Sequence, residues 1–209
     1  MKTHWVVHSP DGREFKTITI THDELVEKMT SCEQTPGQNI LEHGQSVKDY
    51  LFDLVKHLKT NEPLKYEWNL PKFIQTEKKL LLDNIPDDET LELYTTYHDC
   101  GKPFCMTIDD SGKKHFPDHS KVSYDYFKSV FNNPVSAELV LHDMDIHTLK
   151  AEGVKEFSEN PNALTLILAG LAEIHSNARM FGGNESTSFK IKHKQISKKG
   201  EQIIKLIKK

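Results

Sequence analysis

The chain has 209 residues, a formal net charge of -4 and a hydrophobic fraction of 36%, which suits one ordinary domain with a core of its own. No stretch approaches the run of about 18 apolar residues that a membrane span needs, and the residues from Met1 to Trp5 lack the apolar core of a signal peptide. We therefore expect a soluble cytoplasmic protein with no membrane partner, whose three cysteines are reduced thiols.

The first 37 residues predict a β-hairpin and a short helix. Residues 5–7 and 15–20 alternate or are β-branched, and residues 10–13, Pro-Asp-Gly-Arg, have turn chemistry. Residues 21–24 match the capping-box pattern at a helix start. Residues 35–37, Thr-Pro-Gly, then break the chain.

Apolar periodicity predicts a series of helices through the middle of the chain. The predicted helical segments are 40–59, 77–84, 88–98, 119–131, 135–149 with a break, a turn at 152–157, and 163–180. Between them, residues 60–76 read as a loop with exposed aromatic side chains and residues 104–118 as an excursion with a tight turn. The segment 163–180 is apolar on nearly every side in its first half, which indicates a helix at the domain centre.

The predicted fold class is mainly α, with a small N-terminal β-hairpin. Three parts are expected: the hairpin and short helix at 1–37, a helical domain at 38–183 and a basic C-terminal extension at 184–209. The last 21 residues carry eight lysines and one acid, so they are about +7 and the remainder about -11.

Histidine and carboxylate side chains recur beside the apolar faces of different predicted helices. Neutral imidazoles and ionised carboxylates suit divalent metal ions, and an aspartate at the centre of such a set can bridge two of them. The candidate ligands, in chain order, are His43, His98, Asp99, His119, His142 and Glu173.

This order resembles the HD-domain superfamily of metal-dependent phosphohydrolases. The lone histidine is His43, the HD pair is His98-Asp99, and the sequence His98-Asp99-Cys100-Gly101-Lys102 is close to the HDxGK form common in that family. The resemblance covers roughly residues 38–181. It implies an HD-domain-like helical bundle that cleaves a phosphomonoester or phosphodiester of a nucleotide-type substrate with a metal-activated water.

The resemblance also implies the cofactor and the roles of particular residues. The cofactor would be one or two divalent ions of Mn, Ni, Co, Fe, Zn or Mg, with Asp99 as the bridging, catalytic carboxylate. Lys102 would contact the substrate phosphate or protonate the leaving oxygen, unless it is an ordinary solvated lysine. Arg179 would clamp a substrate phosphate, unless it forms a structural ion pair with an acid such as Asp145.

Two features depart from the family pattern. The final ligand is normally an aspartate, whereas Glu173 stands at that place, so Asp143 or Asp145 is an alternative terminal ligand. The gap between His43 and His98 is long, so residues 60–87 would form a lid or a specificity element. Its aromatic residues suit either stacking on a base or a hydrophobic flap; they are Tyr66, Trp68 and Phe73.

His147 is expected either to bind the metal or to orient a ligand through a hydrogen bond, and His175 is expected to orient a neighbouring group. A non-catalytic, metal-containing module that binds nucleotide or nucleic acid is the main alternative function, and a di-iron oxygenase is a weaker one. The basic tail favours a nucleic-acid partner or, alternatively, a solvated helix docked by its isoleucines.

Overall fold

The computed structural model describes residues 4–7 and 14–209, and for residues 4–7 and 14–17 it describes the backbone alone. Helices dominate this part of the chain, and its β-structure consists of three antiparallel pairs of short strands. The predicted mainly α fold with a small N-terminal hairpin is therefore confirmed.

The strands pair as three local hairpins. The strands are β1 His4–Val7, β2 Glu14–Thr17, β3 Glu33–Thr35, β4 Gln38–Asn39, β5 Thr107–Ile108 and β6 Lys114–His115. In the predicted N-terminal hairpin Val6 lies opposite Phe15, while the expected turn at 10–13 lies outside the described residues. The predicted chain break at 35–37 is the turn between β3 and β4, where Gly37 has φ +80, a conformation that favours glycine.

The helices follow the predicted order closely. They are α1 His22–Ser31, α2 Ile40–Thr60, α3 Phe73–Thr76, α4 Lys78–Asp83, α5 Asp88–Tyr97, α6 Lys102–Cys105, α7 His119–Val130, α8 Pro134–Leu141, α9 Asp145–Thr148, α10 Val154–Ser158, α11 Ala163–Ser176 and α12 Thr187–Ile207. Two 3-10 turns, Ala151–Gly153 and Ala178–Phe181, complete the set.

Side-chain caps fix where the first two helices, α1 and α2, begin. Thr21 and Glu24 form a reciprocal capping box at α1, as predicted, and Asn39 and Glu42 form a second one at α2. Each box satisfies backbone N–H groups that a helix start leaves unpaired. The cap at Asn39 places His43 in the first turns of α2.

Helix α11 lies at the centre of the core, as its sequence predicts. Only Glu173 and Ser176 of its 14 residues are not buried. It packs against α2 on one side and α12 on another. Glu173 is therefore a carboxylate held in the most apolar helix of the protein, where a charge is costly unless it is paired.

Residues 61–72 form a loop, as expected, but the aromatic side chains of this segment are partly or fully buried instead of exposed. Trp68 donates its indole N–H to Asp53 (3.0 Å), and its ring lies 4.5 Å from that of His175. The backbone N–H of Asn69 donates to His175 Nε2 (3.0 Å), and Phe73 is buried at the start of α3. These contacts correspond to the hydrophobic-flap alternative, since Trp68 and Phe73 face the core.

The basic extension forms helix α12, which docks on the core through buried isoleucines. Ile196, Ile203 and Ile204 are buried, whereas Ile191 is 53% exposed. None of the helices in the described residues is both long enough and apolar enough to cross a membrane.

Candidate metal centre

His43 is fully buried in the first turns of α2, and neither of its ring nitrogens has a hydrogen-bond partner among the residues that the structure describes. Buried polar atoms are almost always paired, so the two unpaired nitrogens of this imidazole suit a role in ligand binding. The next residue, Gly44, faces the end of α5. A Cβ added there would lie 2.1 Å from the Thr96 carbonyl oxygen, so glycine is what allows α2 and α5 to approach closely.

His98 follows the last residue of α5, and its orientation is fixed by the backbone. Its Nδ1 donates to the Thr95 carbonyl oxygen (2.8 Å), which leaves Nε2 as the ring atom that faces the centre. Nε2 is buried and makes no aligned hydrogen bond. The rings of His43 and His98 are edge to face, with centroids 5.1 Å apart.

Asp99 joins the two histidines into a compact set of donors. Its Oδ2 lies 3.5 Å from His43 Nε2 and 3.3 Å from His98 Nε2. The ligand atoms of the three residues lie within 4.8 Å of one another, and all three side chains are buried. In sequence, His43 is distant from the adjacent pair His98 and Asp99. The structure brings the three residues together as one potential metal site.

The electrostatics of this set favour a cation between the donors. Burial and the charge of His98 lower the pKa of His43 to about 4, so its imidazole is neutral near pH 7 and one ring nitrogen is free to act as a ligand. Burial opposes charge on His98, but Asp99, Asp143 and Glu173 outweigh it and raise the pKa of His98 to about 10. The surrounding carboxylates therefore favour positive charge at Nε2, whether a proton or a metal ion provides it.

Lys102 is a partner of Asp99 rather than a solvated lysine. Its Nζ lies 2.5 Å from Asp99 Oδ2 and 3.0 Å from Gln34 Oε1, and the side chain is 12% exposed. The ammonium also lies over the ring of Phe116, 5.4 Å from its centroid. Burial opposes ionisation of Asp99, but Lys102 and His98 overcome it and hold the pKa of that carboxyl well below its usual range.

His119 begins α7 and faces the other oxygen of Asp99. Its Nδ1 donates to the Phe116 carbonyl oxygen (3.0 Å), and its Nε2 lies 3.7 Å from Asp99 Oδ1. The preceding residue, Asp118, has φ +51, a left-handed conformation that is uncommon outside glycine. His119 therefore lies beside the three central residues, on the side of Asp99 away from His43.

Two further acids, Asp143 and Glu173, act on the same centre. The Tyr94 hydroxyl donates to Asp143 Oδ1 (2.6 Å), and burial together with Glu173 and Asp99 raises the pKa of Asp143. Glu173 Oε2 lies 2.7 Å from His147 Nε2, although the two atoms are not aligned as a hydrogen bond. Burial opposes charge on Glu173, but His147, His98 and His43 lower its pKa.

His142 and Asp145 lie apart from this set, against each other. His142 Nδ1 is 2.7 Å from Asp145 Oδ2, and the two side chains are 36% and 47% exposed. Both line a cavity of about 640 Å³ whose walls include none of His43, His98 or Asp99. Of the three acids considered as the terminal ligand, Asp145 is therefore a partner of His142, whereas Asp143 and Glu173 influence the charge of His98.

Arg179 lies beyond the end of α11, in a 3-10 turn, and its side chain is exposed. The sequence placed it on the central helix, where an unpaired guanidinium would be costly. The helix instead ends at Ser176, so Arg179 reaches solvent, and Asp145 pairs with His142.

Gly44 and Tyr94 support the centre and were not singled out from the sequence, and Gly101 was noted only as part of the HDxGK form. Gly44 permits the approach of α2 to α5, and Gly101 permits the approach of the HD turn to α7, where its Cβ would lie 2.2 Å from the Ser123 backbone nitrogen. The Gly101 N–H also donates to Ser123 Oγ (2.9 Å). Tyr94 holds Asp143. The sequence shows that one glycine follows His43 and that another lies two residues after Asp99. It does not show which atoms these glycines contact, because those contacts form between separate elements.

The residues present fit a divalent metal ion. Two imidazoles with orphan nitrogens and one ionised carboxylate form a buried set of N and O donors, which is the ligand chemistry of Zn, Fe, Ni, Co and Mn sites. Comparison with protein-family models, with curated proteins and with solved structures found no match for this chain. The function therefore has to be argued from the site itself.

Proposed function

We propose that this protein is a metal-dependent phosphohydrolase of the HD type, acting on a phosphomonoester or phosphodiester of a nucleotide-type substrate. The observation that carries the proposal is the arrangement of His43 Nε2 and His98 Nε2 around Asp99 Oδ2; both nitrogens are buried and make no hydrogen bond within the described part of the chain. His119 and the acids Asp143 and Glu173 supply further donors for one ion or a second.

The chemistry divides between the ion and the chain. A bound divalent ion would supply Lewis acidity and lower the pKa of a water molecule. The chain's own part is to hold the donors: Thr95 fixes the tautomer of His98, and Tyr94 holds Asp143. Lys102 lies at the Asp99 carboxylate, where its ammonium is suited to a phosphate oxygen or a leaving oxygen.

The test is metal analysis of the purified protein together with a hydrolysis screen under Mn, Ni, Co, Fe, Zn and Mg. The substrates are mononucleotides, cyclic dinucleotides and single-stranded nucleic acid. We expect His98→Ala and Asp99→Asn to lose both bound metal and at least about 100-fold of the hydrolytic activity, because each removes a donor from the buried set.

His115→Gln is the matched control, since His115 is a half-exposed histidine paired with Asp109 (2.7 Å) away from the centre. It should keep both metal and activity. If folded His98→Ala and Asp99→Asn proteins keep full metal content and full hydrolysis, the proposed centre is wrong.

A non-catalytic module that holds a metal ion and binds a nucleotide is the second candidate. What favours it is that Lys102 already pairs with Asp99 and that His147 lies against Glu173, so two acids are neutralised within the chain. Nucleotide binding measured by calorimetry, with no product after prolonged incubation under each metal, would select this alternative.

A nucleic-acid partner for helix α12 remains part of the proposal. The exposed lysines Lys194, Lys198 and Lys205 follow one another at helical spacing along the solvent side of α12. The apolar side of the helix is buried on the core, so what it offers to a partner is mainly charge, as contacts with a phosphate backbone require.

A further inference from the structure

A cavity of about 570 Å³ lies between the β3–β4 hairpin and the turn that follows α11. Its volume is within the range of small-molecule sites. One wall comes from the hairpin turn and the start of α2, including Gln38 and Glu42. The other comes from the end of α11 and the 3-10 turn, including Asn177 and Arg179.

The lining of this cavity contains hydrogen-bond donors and acceptors, one positively charged side chain and one negatively charged side chain. Two primary amides, Gln38 and Asn177, line it with the carboxylate of Glu42 and the guanidinium of Arg179. Asn177 is only 8% exposed, and within the described residues its buried Oδ1 has no hydrogen-bond partner. A site for a bare phosphate would concentrate positive charge, whereas this lining offers one cation, one anion and two amides.

The cavity adjoins the candidate metal centre along the chain on both walls. Glu42 directly precedes His43, and Ser176, which also lines the cavity, follows Glu173 by one helical turn. The hairpin itself is tied to the centre, because Gln34 in β3 accepts a hydrogen bond from Lys102 (3.0 Å). The hairpin, the start of α2 and the end of α11 therefore connect the cavity to the metal centre through the chain, although none of His43, His98, Asp99 and Lys102 lines it.

We infer that this cavity is the subsite for the nucleoside part of the substrate. The side-chain amide of Gln38 offers both a donor and an acceptor to the edge of a nucleobase. The planar guanidinium of Arg179 and the apolar side chain of Met180 suit the faces of the ring. The inference rests on the proposed function, because it assigns the part of a nucleotide that the metal centre does not bind.

The experiment uses titration calorimetry to measure the affinity of the protein for the four common nucleosides, for ribose and for inorganic phosphate. Nucleosides carry no phosphate, so their binding does not depend on hydrolysis. We expect at least one nucleoside to bind and ribose to bind at least tenfold more weakly. Gln38→Leu should weaken the nucleoside by about 5- to 100-fold, the range expected for losing one paired amide. Gln195→Leu, an exposed position on α12, is the matched control and should bind as the wild type does.

Variants of Arg179 show whether the cavity binds a base or an anion. If its guanidinium plane packs on a base, Arg179→Lys and Arg179→Ala should weaken nucleoside binding to a similar extent, since lysine keeps the charge but not the plane. Phosphate binding that Arg179→Lys preserves and Arg179→Ala abolishes, without nucleoside binding, would overturn the inference.

The other outcomes distinguish this inference from the proposed function. Hydrolysis of phosphoesters with no nucleoside bound at millimolar concentration overturns the subsite and leaves the phosphohydrolase proposal standing. Nucleoside binding that Gln38→Leu weakens, without hydrolysis under any metal, supports the subsite and contradicts the phosphohydrolase. Equal binding by wild type and Gln38→Leu overturns the placement of the base in this cavity.

Discussion

Gly44 sets the distance between the two helices that carry the central histidines. A Cβ at this position would meet the Thr96 carbonyl oxygen at 2.1 Å, and that atom belongs to the backbone and cannot rotate away. In an ordinary helix interior, replacing glycine by alanine would gain about 1 kcal/mol. Here the added Cβ would push α2 away from α5, and with it His43 away from His98. This displacement opposes the gain in stability.

We predict that Gly44→Ala destabilises the protein by about 2–3 kcal/mol, as overpacking typically does, and lowers its metal content. Chemical denaturation and metal analysis measure the two effects. Gly153→Ala is the control, because its Cβ would meet only the end of the Leu149 side chain, at 3.2 Å. A Gly44→Ala protein as stable as the wild type would show that the contact with Thr96 relaxes without cost.

The neutral imidazole of His175 contacts its own helix α11, the segment that precedes α3, and helix α12. Its Nδ1 donates to the Leu171 carbonyl oxygen (2.6 Å), and its Nε2 accepts from the Asn69 N–H (3.0 Å). Its ring also lies edge to face against Phe189 of α12. Burial lowers the pKa of His175 to about 4, and protonation would break the bond to Asn69. The sequence indicated only that this residue orients a neighbour.

We predict that His175 makes stability fall as the pH falls. Its pKa is about 4 in the folded protein and about 6.5 in an unfolded chain. Between these values the unfolded state binds more protons, so its contribution of up to about 3 kcal/mol is complete above pH 6.5 and is lost towards pH 4. His175→Gln cannot titrate in this range. Denaturation curves should show the two proteins converging in stability as the pH is lowered from 6.5 to 4; a constant difference would contradict the assignment.

Helix α12 brings exposed lysines to one side and buried isoleucines to the other. If a nucleic acid binds this helix, changing Lys194, Lys198 and Lys205 together to glutamine should weaken binding and reduce the slope of log K against log salt by about 2–3, because each lysine accounts for about one released counterion. Fluorescence anisotropy with labelled single-stranded DNA or RNA over a salt series measures both.

The control for this prediction changes the net charge by the same amount elsewhere. Lys56, Lys79 and Lys121 are exposed lysines on α2, α4 and α7 that pair with neighbouring acids. Their triple glutamine variant should keep the affinity and slope of the wild type. Equal losses in both triple variants would mean that overall charge, and not α12, determines binding.

At the level of elements, local patterns predicted most helices correctly and failed where a helix ends. The capping pattern at Thr21 and the apolar runs of α2 and α11 are local signals, so the structure follows them. The chain from 135 to 149 breaks at His142, and Asp143 lies between α8 and α9. Helical spacing therefore could not show that His147 would contact Glu173, or that Asp145 would pair with His142.

At the level of the molecule, the sequence order of ligands anticipated that His43, His98 and Asp99 would meet, but not that His142 would lie apart or how each group is held. His43, His98 and Asp99 converge as expected, because the helices that carry them share one core. The partners of the acids could not be read from the chain, because Tyr94 with Asp143 and His147 with Glu173 are contacts between separate elements. These pairings decide the charge of the centre.

Three carboxylates around a buried centre make the folded protein a better metal ligand than the unfolded chain. Asp99, Asp143 and Glu173 together raise the pKa of His98 to about 10, and a divalent ion would satisfy the same charges more fully than a proton. An ion that binds only the folded state stabilises it by about 2.7 kcal/mol at 100 times its dissociation constant. For a chain of this length that corresponds to a rise in Tm of about 5–10 °C.

We therefore predict that Mn, Co, Ni or Zn raises the Tm of the protein previously treated with EDTA, in a concentration-dependent way measured by scanning calorimetry. His98→Ala should lose most of this rise because it removes a central donor, whereas His115→Gln should keep it. The same rise in His98→Ala would place the ion elsewhere, for instance at the exposed His142 and Asp145 pair. His142→Ala then completes the test, since it should abolish the rise only if that outer pair binds the ion.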